Sequence, residues 1–205
     1  MPITFLDVMI PRTADPHALR ALQRAGAALL VTVLTIIGAQ ISIPLPFTPV
    51  PFTFQPMIVL VGAAALGARL GAASQIVYLW LGVLGLPVFA ASPALPQGAA
   101  RLLGPTGGYL MVYPIAAFVT GWLAERGFDR RYATAFAAML AGLAVVFAGG
   151  VSWLAVVHTA APSMSSRWTA ALAAGFSPFI LTDVVKLLAA ASVMPGLWRL
   201  TGLRD

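Results

Sequence analysis

The stretch YATAFAAMLAGLAVVFAGGVSWLAVV, residues 132–157, contains no charged side chain in 26 consecutive positions. A helix that crosses the hydrocarbon core of a membrane takes about 20 apolar residues, so this stretch predicts a transmembrane helix. The rest of the chain has the same character, because 60% of its 205 residues are hydrophobic and only 9% are charged. Soluble domains carry roughly 25% charged residues, so this chain has too few to cover a surface that faces water.

Six hydrophobic stretches predict an all-α integral membrane protein with six transmembrane helices. The second and third are short and almost contiguous, which predicts a tight helical hairpin. Residues 159–177 form either a short surface helix or the start of a longer last helix, and Pro178 favours a break because the residue before a proline avoids the α region. The six stretches cover residues 25–43, 55–68, 71–86, 108–123, 132–157 and 178–200.

The arginines predict how the chain is oriented. If six spans alternate in direction, nine arginines fall on one side of the membrane and only Arg101 and Arg167 fall on the other. Positively charged residues mark the cytoplasmic side, so both termini are predicted to be cytoplasmic. The predicted layout is a cytoplasmic N-terminal segment, a six-helix transmembrane domain and a short cytoplasmic tail, at residues 1–24, 25–200 and 201–205.

The same distribution explains the net charge of +6 without a nucleic-acid partner, because the basic residues flank the spans and form no stripe with interleaved aromatic residues. One cytoplasmic connection combines Glu125 and Asp129 with Arg126, Arg130 and Arg131. This combination predicts a solvated charge cluster.

The predicted external connections are long and unusual, and long structured loops on one face of a bundle often carry function. Residues 43–56 contain five prolines in fourteen positions, which favours an extended, polyproline-like segment. Residues 85–107 are rich in glycine, proline and alanine. Both connections lie where a substrate would arrive from outside.

Asp183 and Lys186 are the only acidic residue and the only lysine inside a predicted span. A spacing of three residues places them on one helix face. A charged group in hydrocarbon costs about 2.5 to 3.5 kcal/mol, so such groups usually face the interior of a bundle. The pair therefore either contacts a ligand beneath the external loops or holds the last helix to its neighbours as an ion pair.

The segment Gly104-Pro-Thr-Gly-Gly-Tyr-Leu110 is the second candidate for ligand contact. Glycines at a helix start permit close backbone approach to a ligand, and they equally permit a tightly packed helix entry. Tyr109 adds a flat apolar face with a polar tip. The chain has no cysteine and only two widely separated histidines, and Ser152 and His158 point to different helix faces, so no metal centre or enzyme activity is expected.

Four segments together resemble the signatures of the BioY family. They are Gln40-Ile-Ser-Ile-Pro-Leu-Pro-Phe-Thr-Pro-Val-Pro51 followed by Gln55, Tyr78 with Gly82-Val-Leu-Gly-Leu-Pro-Val-Phe89, Gly104-Pro-Thr-Gly-Gly-Tyr-Leu110, and Asp183-Val-Val-Lys186. They occur in order over roughly residues 25–195, so the resemblance covers nearly the whole chain.

The resemblance implies the substrate-capture (S) component of an energy-coupling factor (ECF) transporter for biotin in the bacterial cytoplasmic membrane. It implies six helices, an outward-facing pocket, and three partner subunits, namely a transmembrane coupling protein and two ATPases. ATP is then used only by the partners, because this chain lacks the Gly-x-x-x-x-Gly-Lys-[Ser/Thr] sequence, and no cofactor is expected. The implied substrate-binding residues are Asp183, Lys186, Tyr109, Thr106, Gly107, Gly108, Gln55, Phe89 and Tyr78.

The resemblance also implies a small-residue face on the first helix for the coupling protein. Ala28 and Thr32 are the candidates, although Thr32 stands where many S components have alanine. Two other functions stay open, namely a biotin carrier that works without ATPases and a membrane binding or scaffold protein that transports nothing. The residues alone leave open which end of biotin lies deep.

Overall fold

Apolar helices account for most of the described chain, as a hydrocarbon solvent requires, because a helix satisfies its own backbone hydrogen bonds. The computed structural model describes residues 4–10, 17–92 and 96–201. The elements are α1 Phe5–Met9, α2 His17–Gln40, β1 Ser42–Ile43, β2 Phe52–Thr53, α3 Gln55–Leu66, α4 Ala68–Val83, α5 Ala100–Leu103, α6 Gly107–Met111, α7 Tyr113–Ala124, α8 Tyr132–Trp153 with a π-helical turn Leu154–His158, α9 Met164–Gly175 and α10 Ser177–Leu200.

Four helical stretches in the described residues are long and apolar enough to cross a membrane. They are His17–Gln40, Gly107–Ala124, Tyr132–His158 and Ser177–Leu200. The helices α3 and α4, with 12 and 16 residues, are shorter than the roughly 20 residues of a full span. The prediction of an all-helical membrane protein is therefore confirmed, with four candidate spans and two shorter helices.

The connection between α3 and α4 is a single residue, Gly67, with φ of +84°. This left-handed conformation suits glycine, which has no Cβ to clash. Glu125 caps the start of α4 from another part of the chain, because its Oε1 accepts a hydrogen bond from the Ala68 N–H at 2.8 Å. Gly121 of α7 lies so close to this turn that an added Cβ would stand 2.4 Å from the carbonyl carbon of Gly67. The predicted helical hairpin is thus confirmed, and α7 packs tightly against it.

Two features of the helices differ from the sequence prediction. Helix α2 begins at His17, inside the predicted N-terminal segment, and the predicted fourth span is broken into α6 and α7 at Val112. Residues 11–16 and 202–205, which belong to the predicted cytoplasmic termini, lie outside the described residues. The alternative left open for residues 159–177 is resolved as a separate short helix, because Phe176 interrupts the chain between α9 and α10.

The surface of the bundle is rich in large apolar side chains, as expected for contact with lipid rather than water. Leu22, Leu30, Leu181 and Leu200 are all more than half exposed. The interior is filled by small and aromatic residues where helices approach closely, and small residues are typical of helix contacts in membranes. The charged residues Arg101, Asp183 and Lys186 line one internal cavity, and a second buried polar group joins α2 to α4 through Thr32, Thr35, Ser74 and Gln75.

Candidate functional site

A narrow cavity lies between the start of α3, helix α6, and the faces of α7, α8 and α10. Its volume is about 60 Å³. This is room for a few water molecules, so a larger occupant needs its cover to move outward. The lining residues are Val50, Pro51, Thr53, Gln55, Pro56, Ala90, Arg101, Thr106, Tyr109, Leu110, Tyr113, Val146, Phe147, Phe179, Asp183 and Lys186.

The cover is a short β-hairpin, residues 42–53, here called the proline hairpin. Its two strands pair antiparallel, with Ser42 opposite Thr53 and Ile43 opposite Phe52. The tip is tied to the other side of the cavity, because the Thr48 hydroxyl donates a hydrogen bond to the Ala174 carbonyl at 2.6 Å. The sequence predicted an extended polyproline-like segment over residues 43–56, but extended strand is limited to Ser42–Ile43 and Phe52–Thr53, and the residues between them form the turn.

Asp183 and Lys186 lie together on α10 with their charged ends in the cavity wall. Lys186 Nζ is 2.7 Å from Asp183 Oδ1, and only about a tenth of either side chain is exposed. Lys186 also donates to the Thr53 carbonyl at 2.8 Å and stands 3.6 Å above the centre of the Phe52 ring. A buried ammonium above an aromatic face gains about 2 kcal/mol or more. The lysine therefore holds the proline hairpin down on the cavity while its carboxylate partner lines it.

Gln55 contributes a second polar group to the cavity and is held from behind by Tyr78. The Gln55 amide donates to the Tyr78 hydroxyl at 2.5 Å, and that hydroxyl lies 3.4 Å from the Val88 carbonyl, to which it donates. Phe89 packs edge-on against the Tyr78 ring, with 5.6 Å between ring centres. Both rings are fully buried and neither lines the cavity. Of these three predicted site residues, only Gln55 lines the cavity. Tyr78, packed against Phe89, fixes the position of the Gln55 side chain.

In the segment from Gly104 to Leu110, too, only some of the predicted site residues line the cavity. Thr106 and Tyr109 line the cavity. The Thr106 hydroxyl is buried and has no hydrogen-bond partner within the described residues, which leaves it available to an occupant. The Tyr109 hydroxyl instead donates a hydrogen bond to the Gly175 carbonyl at 2.8 Å.

Gly107 and Gly108 do not line the cavity but permit close helix packing. A Cβ on Gly107 would stand 1.8 Å from the Leu102 carbonyl oxygen, and one on Gly108 would stand 2.6 Å from that of Gly149. No side chain fits at distances below about 3 Å from a backbone atom. Gly107 and Gly108 are therefore packed against other helices, as the packing alternative predicted. Thr106 and Tyr109 line the cavity, as the ligand alternative requires.

Arg101 is a site residue that sequence reasoning missed. It was predicted only as a charge flanking a span, but its side chain is 1% exposed and lines the cavity. Its Nη2 donates to the Ala90 carbonyl at 2.6 Å and its Nη1 to the Pro96 carbonyl at 3.4 Å. Burial lowers the pKa of this guanidinium, which nevertheless stays protonated at neutral pH. The available signal was its position as the only basic residue in the connection 85–107.

The two predicted partner-contact residues on α2 lie differently. Ala28 is partly exposed, whereas Thr32 is 1% exposed and faces α4. The Thr32 hydroxyl donates to the Ser74 carbonyl at 2.8 Å and lies 3.1 Å from the Ala28 carbonyl. Thr32 is therefore not accessible to a partner while α2 and α4 stay packed together, and Ala28 is the accessible member of the predicted face. The physical reason is that threonine in an apolar helix turns its hydroxyl toward a buried acceptor.

The all-helical bundle has four candidate membrane spans and an internal cavity whose wall includes Arg101, Asp183 and Lys186, which is the architecture of a multi-pass membrane protein with a candidate small-molecule site. Residues 12–202 match the model of the BioY family. The chain therefore belongs to the BioY family.

Relatives and a solved structure agree with this assignment. The chain is 40% identical to the biotin transporter BioY of Thermotoga maritima over 85% of this chain and 94% of the relative. It is 39% identical to the probable biotin transporter BioY of Pyrococcus horikoshii, over 80% and 89% of the two chains. The crystal structure of an S-component for biotin from an ECF-type ABC transporter superposes with a TM-score of 0.74 at 24% identity, over 91% of this chain and 95% of that one. The last likeness shows the fold.

Proposed function

We propose that this chain captures biotin and takes it into the cell as the S component of an ECF-type transporter. The observation that carries the proposal is the Asp183–Lys186 pair beneath the proline hairpin, in a chain 40% identical to a biotin transporter. Burying a charged pair within a membrane span costs free energy, so a role in binding explains why the pair is present. Biotin is the cargo, and ATP is used by other subunits.

The polar groups of the cavity match those of biotin. The ureido ring of biotin offers two N–H donors, which Asp183 can accept, and a carbonyl, to which Lys186 can donate. Arg101 places a second cation against the same cavity and suits the carboxylate of biotin, because guanidinium and carboxylate pair through two parallel hydrogen bonds. Phe147 and Phe179 line the space between for the apolar thioether ring and chain. The ureido ring thus binds at α10 and the carboxylate lies toward the connection 85–107.

The proposed topology has six transmembrane helices, with α3 and α4 completing the count, both termini in the cytoplasm and the proline hairpin outside. It is supported by the segregation of the arginines and by the positions of the hairpin and Arg101 at the same end as α9. The domain layout remains an N-terminal cytoplasmic segment, a transmembrane substrate-binding domain and a cytoplasmic tail, at residues 1–24, 25–200 and 201–205. The proposed location is the bacterial cytoplasmic membrane.

Cysteine labelling tests this orientation, because the chain has no cysteine of its own. Phe47 at the hairpin tip and Arg131 at the start of α8 are both exposed. An impermeant thiol reagent added to intact cells should label Phe47→Cys and leave Arg131→Cys unlabelled until the cells are opened. Labelling of position 131 in intact cells would refute the orientation.

The proposed partners are a transmembrane coupling protein and two ATPase subunits. The proposal is supported by the resemblance in fold to an S-component and by the absence of the nucleotide-binding sequence from this chain. Ala28 is the remaining candidate on α2 for contact with the coupling protein, and membrane lipid is the other proposed partner of the chain.

Replacing Ala28 with tryptophan tests the coupling. In cells that lack their own biotin uptake, Ala28→Trp should reduce uptake by the complete transporter severalfold and leave biotin binding by the purified chain unchanged. Leu29→Trp, at a more exposed position on the same helix, is the matched control. Equal loss of binding in Ala28→Trp would make Ala28 a packing residue. Full uptake by the parent chain without coupling subunits would instead support a stand-alone carrier.

A further inference from the structure

A second cavity lies at the opposite end of the bundle from the proline hairpin and is strongly basic. It is formed by the connection between α7 and α8, the start of α8 and the end of α10, and it is here called the basic cleft. Its volume is about 580 Å³, and four of its lining residues are arginines, namely Arg126, Arg130, Arg131 and Arg199. None of the lining residues in the described part of the chain is acidic.

Two of these arginines are held in place by tryptophan rings, Trp198 inside the cleft and Trp122 beside it. Arg126 lies with its guanidinium 3.4 Å above the Trp122 ring and donates to the Trp122 carbonyl at 2.8 Å. Arg130 lies 5.0 Å above the Trp198 ring, and its buried Nε has no hydrogen-bond partner among the described residues. A side chain whose position is fixed in this way loses less entropy when an anion binds.

The neighbouring carboxylate, Asp129, can offset at most one of the four arginine charges. Asp129 is 2% exposed, and its Oδ2 accepts a hydrogen bond from the Trp198 Nε1–H at 2.6 Å. Burial raises the pKa of this carboxyl, against the lowering effect of the Trp198 hydrogen bond and the Arg130 charge. The sequence predicted a solvated cluster here, which is wrong for Asp129, because the residue supports Trp198 from inside the bundle. The arginines are left in excess on the surface.

The position of the cleft indicates what binds there. It lies where α8 begins and α10 ends, which is the level of the lipid headgroups if these helices span the membrane. Tyr132, which is nearly half exposed, lines the cleft together with Phe128 and Pro195. Tyrosine is enriched at membrane interfaces, and the Tyr132 hydroxyl donates to the Leu188 carbonyl of α10 at 3.1 Å, which fixes the ring in the cleft wall. An anionic phospholipid would bring a phosphate to the arginines and an acyl chain to the apolar wall in one molecule.

We propose that the basic cleft binds the phosphate headgroup of an anionic phospholipid of the cytoplasmic leaflet. Guanidinium groups bind phosphate oxygens through paired, charge-assisted hydrogen bonds, which is the strongest chemistry this set of side chains offers. The inference depends on the chain spanning the membrane in the proposed orientation, and it does not depend on biotin. Its failure would therefore leave biotin capture unaffected, and a failure of biotin capture would leave the cleft in place.

Native mass spectrometry of the purified full chain in detergent tests the proposal, with short-chain phosphatidylglycerol as the probe. One phosphatidylglycerol should bind preferentially over short-chain phosphatidylcholine. Arginine near a membrane surface contributes about 1 kcal/mol to anionic-lipid binding, which is about fivefold in affinity. Arg131→Gln combined with Arg199→Gln, both at exposed positions, should therefore weaken phosphatidylglycerol binding by about twenty-five-fold. Arg69→Gln, an exposed arginine at the same end but outside the cleft, should have no effect.

Three results would overturn the proposal. The first is unchanged phosphatidylglycerol binding by the double variant. The second is displacement of the lipid by inorganic phosphate at an equal concentration, which would make the cleft a site for soluble anions. The third is unchanged lipid binding with loss of assembly onto the coupling subunits, which would assign the arginines to an acidic segment of a partner protein.

Discussion

Asp183→Asn should weaken biotin binding by about tenfold to a hundredfold while the protein stays folded. An amide keeps one carbonyl acceptor but loses the charge, and a hydrogen bond to a charged group contributes roughly 1.5 to 3 kcal/mol. The carboxylate lines the cavity and pairs with Lys186 at 2.7 Å, so the substitution changes both the ligand contact and the ion pair. Biotin titrations and thermal melts on the same preparations separate the two effects.

The double variant Asp183→Asn with Lys186→Met provides the control. If the pair only stabilised the fold, the single variant would strand a buried ammonium at a cost of about 3 to 5 kcal/mol, and the double variant would recover both stability and binding. If the pair contacts biotin, the double variant should melt near the parent temperature and still bind poorly. Lys186→Met alone should also loosen the proline hairpin, because Lys186 donates to the Thr53 carbonyl. A double variant with normal affinity would contradict ligand contact.

Gly108→Ala should reduce the free energy of unfolding by about 1 to 3 kcal/mol, the usual cost of overpacking a well-packed interior. The added methyl group would stand 2.6 Å from the Gly149 carbonyl oxygen, a backbone atom that cannot turn aside. Chemical unfolding in detergent measures the loss. Because α6 also carries Tyr109 into the cavity wall, biotin affinity should fall along with stability.

Gly26→Ala is the matched control for that substitution. Gly26 lies in α2, and an added Cβ there has nothing within 4 Å. Alanine should therefore stabilise the helix by roughly 0.5 to 1 kcal/mol, since glycine loses more conformational freedom on folding. Equal melting temperatures for the two alanine variants would contradict the packing role assigned to Gly108.

Local patterns in the sequence predicted the features that depend on neighbours along the chain. The charge-free stretches became the long helices, Pro178 stands in the first turn of α10, and the spacing of Asp183 and Lys186 placed them side by side. Helical periodicity and hydrophobic length are properties of one continuous stretch, so they can be read from a single sequence.

The features that the sequence left unpredicted depend on partners distant along the chain. Arg101 is buried because carbonyl groups of its own connection surround it, and Thr32 is buried because Ser74 accepts its hydroxyl. Asp129 is buried because α10 brings Trp198 to it. The pattern of prolines in residues 43–56 indicated extended backbone but not the pairing of Ser42 with Thr53. Charge or proline content alone does not show which neighbour will supply a hydrogen bond.

Titration of the purified parent chain with biotin tests the central claim most directly. Isothermal calorimetry in detergent, without any coupling subunit, should give saturable binding of one biotin per chain. The same titration with Asp183→Asn should show at least tenfold weaker binding, as expected for a charge-assisted contact. A well-folded parent chain that binds no biotin under these conditions would contradict the proposed function.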